Sequence, residues 1–209
     1  MTPEARQWMR RNRARAIPRP GLLDSKRVNY VIRQIEKYPW PVRRILRNEG
    51  IRFEFVAGTS IVDHPSYVKL KAARPRGWES GSWEDAAGIY DWGMKRIVLA
   101  VNGIQRRGYF LNLVLHETAH AIDHALDSRR LDWCISMRPA WKTVWLRCRK
   151  TILRHWRPAY NARYFAYNAD EFFCEVASHL YYDKNTRAAI RRVVPTAAAF
   201  VSGVFEALI

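Results

Sequence analysis

Residues 109–127 read Tyr-Phe-Leu-Asn-Leu-Val-Leu-His-Glu-Thr-Ala-His-Ala-Ile-Asp-His-Ala-Leu-Asp, with no Pro or Gly among them. Leu111, Leu115, Ala119, Ile122 and Leu126 recur at spacings of three and four. That period predicts one helix over 109–127 with a buried stripe. Beside the stripe stand His116, Glu117 and His120, the pattern His-Glu-x-x-His. A spacing of four stacks two imidazoles on one helix face. Both rings can then reach one Zn²⁺ at about 2.0–2.1 Å, with Glu117 beside them where a metal-bound water would sit. The chemistry needs each piece. Two neutral imidazoles hold the ion, the ion lowers the pKa of its water toward about 7, and the glutamate moves the water's proton to a leaving amine.

Two histidines on an apolar helix also occur as satisfied core groups, so the surroundings matter. Ala119, Ala121 and Ala125 let neighbours approach the helix closely, and Asp123, three residues after His120, is placed to accept an imidazole N–H. His124 continues the spacing but stands about 6 Å further along the axis. An extended motif with a third His ten residues after the first is excluded, because Leu126 occupies that place.

A catalytic zinc commonly has three protein ligands. The stretch Tyr164-Phe-Ala-Tyr-Asn-Ala-Asp-Glu171-Phe-Phe-Cys-Glu175 offers the best acid. Glu171 and Glu175 are four apart and share a helix face, so one can bind the metal while the other orients a ligating histidine. Asn168 followed by Glu171 is also a capping-box arrangement, which leaves Glu171 with two possible roles.

The rest of the chain sets bounds. Its 209 residues suffice for one domain with a core, and 48% hydrophobic content marks it as globular. No apolar run approaches the ~20 residues of a membrane span. The N-terminus lacks a secretory leader pattern, and Cys134, Cys148 and Cys174 read as free thiols made in a reducing compartment. Synthesis in the cytoplasm follows as the expectation, with delivery as an effector or a phage-associated role left open. The net charge of +17 favours contact with a polyanion, although no sequence-reading nucleic-acid signature accompanies it.

In chain order, residues 1–20 form a basic arm with six arginines against one acid, helical over 3–16. Asp24 or Ser25 caps a helix to about Tyr38. A short helix over Val42–Asn48 ends at Gly50, and Ile51–Val56 alternates as a strand. A short strand is expected at Tyr67–Leu70 inside an irregular stretch. Gly88–Tyr90 and Arg96–Val101 form a hairpin around Asp91–Met94, and a substrate is expected to lie extended along a sheet edge near 96–101. Ser136 to about Trp156 is helical, Arg157–Arg163 is a loop, and the last sixth is helical with a break near Pro195.

His116-Glu-Thr-Ala-His120-Ala-Ile-Asp123, followed about fifty residues later by Tyr164 and, seven further on, Glu171-Phe-Phe and Glu175, resembles the catalytic domain of anthrax lethal factor and its relatives, the Pro-Pro endopeptidases among them. The resemblance covers about residues 85–209. Cys174 departs from it, standing where Ala is frequent. The resemblance implies a zinc metallopeptidase of the gluzincin type, with one Zn²⁺ per chain on His116, His120 and Glu171. Glu117 would be the general base, Tyr164 the oxyanion donor, with Tyr160 and Tyr167 as competitors, and Glu175 the orienting acid. The expected fold is α+β and zincin-like, with a small mixed or antiparallel sheet, an active-site helix and a mostly helical C-terminal half. It divides into the arm over 1–20 and one peptidase domain over 21–209. The expected partner is a protein or peptide substrate. The rival reading is an inactive basic accessory protein that binds nucleic acid or another polyanion.

Overall fold

The computed structural model describes residues 2–17, 23–75, 80–104, 111–127, 134–155 and 162–208. Helix α1 (Pro3–Arg11) starts at Thr2, whose hydroxyl caps the Ala5 amide at 3.2 Å. It is shorter than the sequence predicts. Arg13 takes a positive φ of 53° and turns the chain into β1 (Arg15–Ile17). Asp24 then caps α2 (Ser25–Ile35) through the Lys26 amide at 2.8 Å. Its predicted inner face, Val28, Val31, Ile32 and Ile35, is buried throughout. Helix α3 (Trp40–Asn48) begins with Pro41 in its first turn and ends at Gly50, whose φ of 75° is the left-handed conformation that glycine adopts freely.

Strand β2 (Arg52–Val56) alternates as expected. Phe53 and Phe55 face the helices, while Glu54 and Val56 face the opposite side of the sheet. The expected strand at Tyr67–Leu70 is instead a 3₁₀ turn over Pro65–Leu70, one of three among the described residues between β2 and β3. Pro65 sets the helical φ of that turn, and the His64 ring caps it by accepting the Ser66 amide at 3.1 Å. Here Ile61, Tyr67 and Ala86 build a second, smaller core under the sheet with Ile17, Val56 and Val98.

The hairpin forms as predicted, with β3 (Gly88–Asp91) antiparallel to β4 (Arg96–Ala100). The four strands lie in the order β1-β2-β4-β3, with β1–β2 and β2–β4 parallel, so the sheet is mixed. This order corrects one expectation. Strand β4 is paired on both sides and wholly buried, so 96–101 offers no free edge; the edge beyond it is β3.

Helix α4 (Leu113–Asp127) starts four residues later than the sequence predicts; Tyr109 and Phe110 lie outside the described residues. The Asn112 side chain decides the start, since it accepts the Leu115 amide at 3.1 Å and donates to Gln34 on α2. Helices α5 (Pro139–His155), α6 (Ala162–Tyr167), α7 (Ala169–Tyr182), α8 (Lys184–Val193) and α9 (Pro195–Glu206) complete the C-terminal half. The loop read over 157–163 falls largely outside the described residues, and Arg163 belongs to α6. The main core lies between the sheet and these helices, around the buried Tyr38, Trp141, Phe172, Phe173 and Phe205. Ala119 and Ala121 on α4 are both at 0% exposure, and α7 packs directly on this helix.

Candidate metal centre

Helix α4 presents His116 and His120 toward α7 and Glu117 toward β3, and the four-residue spacing brings His116 Nε2 and His120 Nε2 to 3.2 Å. From α7, Glu171 Oε2 lies 2.9 Å from His116 Nε2 and 3.4 Å from His120 Nε2. Three ligand atoms from residues 55 apart in sequence thus form one small triangle. A tetrahedral ion at about 2.0–2.1 Å from each ligand separates its ligand atoms by about 3.3 Å, so the triangle fits one ion. Two imidazoles and a carboxylate also suit zinc by chemistry.

The carboxylates make the pocket attractive to a cation. Burial opposes charge on His116, but Glu171 and Glu175 outweigh it and hold the imidazolium up to about 10. Burial likewise opposes charge on Glu171, and the two histidines hold its carboxyl well below the usual range. Burial pushes the Glu117 carboxyl up. Its Oε2 accepts the backbone N–H of Tyr90 on β3 at 2.8 Å.

Asn168 stands at the α7 N-cap without a side-chain cap bond, and Glu171 turns to the histidines, so the capping-box role is absent. Glu175 is fully buried behind His116. Its Oε2 lies 3.2 Å from His116 Nδ1, and its Oε1 accepts the Leu111 amide at 3.2 Å. Tyr164 on α6 donates its hydroxyl to Glu171 Oε1 at 2.7 Å, while burial and Glu171 push the phenol pKa far up. Tyr167 is 81% exposed, and Tyr160 lies outside the described residues. Asp123 is buried, yet its partner among the described residues is the Ser136 amide at 2.9 Å rather than an imidazole. It ties the chain before α5 to the metal helix, and burial raises its carboxyl to about 6. His124 bonds to the Tyr90 hydroxyl at 2.9 Å. The Tyr90 amide carries no side-chain signature, so residue patterns did not reveal it.

The family model described as anthrax toxin lethal factor, N- and C-terminal domain, matches residues 15–204. The chain belongs to the anthrax toxin lethal factor family. Two Pro-Pro endopeptidases are similar to it. That of Clostridioides difficile is 25% identical over 186 residues, spanning 87% of this chain and 77% of the relative. That of Paenibacillus alvei is 25% identical over 177 residues, spanning 82% and 74%. The solved structure of the Paenibacillus alvei enzyme superposes with a TM-score of 0.73 at 22% identity, covering 90% of this chain and 96% of that one. That likeness shows a shared fold.

Proposed function

We propose that this protein is a zinc-dependent endopeptidase. The observation that carries the reading is the convergence of His116, His120 and Glu171, whose ligand atoms lie within 4.8 Å of one another, with Glu117 on the same turn of α4. His116, His120 and Glu171 would hold the zinc, which would supply Lewis acidity for a water and for the scissile carbonyl. Glu117 takes the proton of the attacking water and delivers it to the leaving nitrogen. Tyr164, kept as a protonated donor beside Glu171, stabilises the oxyanion that develops on the carbonyl. Glu175 holds the His116 ring from behind.

The substrate is a peptide laid extended beside β3, and because Glu117 holds the outward Tyr90 amide, strand addition uses the rest of that edge. The names of the two curated relatives make a Pro-Pro bond the first to test. His120 and Glu171 are the partly exposed ligands, with side chains 19% and 13% accessible, so substrate approaches from their side.

Elemental analysis of chelator-free protein, beside cleavage of a peptide library rich in Pro-Pro bonds, tests the reading. We expect about one zinc per wild-type chain, retained in Glu117→Gln with cleavage abolished, and lost in Glu171→Ala. A wild type that takes up no zinc when zinc is added back, or a Glu117→Gln variant that cleaves at the wild-type rate, removes it.

A further inference from the structure

Glu117 is held from the sheet side by elements outside the metal-binding set. Ala100 donates to the Ala87 carbonyl at 2.8 Å. Alternation along an antiparallel ladder therefore turns the amides of Ile89 and Asp91 toward β4 and those of Gly88 and Tyr90 outward. On that outward side the Tyr90 N–H meets Glu117 Oε2 at 2.8 Å. Two turns along the same helix, His124 Nδ1 meets the Tyr90 hydroxyl at 2.9 Å. Tyr90 thus ties β3 to α4 twice, once by backbone and once by side chain.

Gly88 makes this approach possible. It has no positive φ, so its backbone does not require glycine. Space does: a Cβ there would stand 3.0 Å from Glu117 Cγ, 3.1 Å from Leu113 Cγ and 3.2 Å from Leu113 Cδ2. A glycine inside a strand marks such a close approach.

We propose that Gly88, Tyr90 and His124 are positioning residues for Glu117. They seat the β3 edge of the sheet on α4, and the Tyr90 amide anchors one carboxylate oxygen, leaving the other to take the proton. The proposal rests on the peptidase reading for its purpose but not for its geometry.

Amide hydrogen exchange on the full chain reads the geometry without substrate. A bond to a charged acceptor protects an outward-facing amide, so Tyr90 should exchange about tenfold or more faster in Glu117→Ala than in wild type. Ile89, paired to β4, should not change. Equal Tyr90 rates in the two proteins overturn the proposal.

Gly88→Val supplies the functional arm. Valine raises strand propensity, so a glycine of merely structural meaning predicts a firmer sheet and unaltered catalysis. A positioning glycine predicts fast Tyr90 exchange. On a Pro-Pro peptide that wild type cleaves, it also predicts kcat lowered about tenfold or more, at unchanged KM and zinc content. Unchanged kcat in a folded Gly88→Val overturns the proposal. Should that variant fail to fold, Gly88→Ala and Tyr90→Phe carry the same readouts. If wild type cleaves no peptide, the peptidase reading fails, and the exchange rates still decide whether β3 holds Glu117.

Discussion

Glu175 shows what one buried residue does at this site. It is fully buried, and a carboxylate without partners would be costly there. Among the described residues it meets the His116 Nδ1, the Leu111 amide and, 3.4 Å from its Oε1, the His179 ring. An acid that bonds the far nitrogen of a ligating imidazole fixes the ring's tautomer and orientation. Glu175→Ala should therefore keep a zinc site but weaken its affinity by about 10–100-fold. Competition against a chromogenic chelator measures this, and an unchanged affinity would show that Glu175 only fills space.

At the scale of elements, β2 carries a burial that its alternation does not announce. Glu54 faces away from the helices, where a polar residue ordinarily meets water. The segment between β2 and β3 covers it instead, and it reaches 0% exposure. It meets Arg15 on β1 at 2.6 Å, Arg96 on β4 at 3.3 Å, Arg52 at 3.1 Å and the His64 ring at 2.8 Å. Burial alone would raise the Glu54 carboxyl, but Arg15 and Arg96 outweigh it and hold it low. Burial holds His64 below its ordinary 6.5, against the pull of Glu54. A histidine depressed in the folded state contributes stability above its unfolded pKa, and that stability is lost as pH falls through the folded value. Thermal melts should therefore show the wild type losing stability relative to His64→Gln as pH falls from about 7.5 to about 5.5. A constant difference over that range would mean that His64 binds its proton equally in both states. The same sheet incorporates the start of the chain. Trp8 of α1 packs on Phe53 and Phe55 with ring centroids 5.8 and 6.4 Å away, and β1 extends the parallel edge of β2.

The whole molecule carries 36 Lys and Arg against 19 Asp and Glu. The imbalance is uneven: Pro139 to Asn168 holds seven cations and no acid. On the outer face of α5, Lys142, Arg147, Lys150 and Arg154 are exposed, while Trp141, Cys148 and Ile152 are buried opposite them. Among the described residues no helix is long and apolar enough to cross a membrane. A surface of this charge should bind unrelated duplex DNA with an affinity that falls steeply and log-linearly with salt. A titration measures the slope, and absence of binding at about 0.15 M salt would make the charge a solvated surface only. Such binding is compatible with peptidase activity and would hold the enzyme near polyanionic surroundings.

Local order was legible in the sequence wherever one stretch of backbone carries the whole signal. A four-residue spacing stacks His116 and His120, alternation makes β2, and a turn after Asp91 joins β3 to β4; these follow from periods of 3.6 and 2 that no distant contact needs to supply. The helix of the His-Glu-x-x-His motif was readable for that reason, and resemblance named Glu171 as the expected third ligand. Other features depended on how elements dock. Glu171 and Glu175 share a face, and only the seating of α7 on α4 turns the first to the imidazole Nε2 atoms and the second to Nδ1. Strand order is not sequence order, so the free edge passed to β3 and not to β4. The helix start at Leu113 depends on Asn112 meeting Gln34 on α2, and the 3₁₀ turn at Pro65–Leu70 on a second core beneath the sheet. The hold on Glu117 comes from a backbone amide, a group every residue but proline possesses, so only its position in the folded chain gives it meaning.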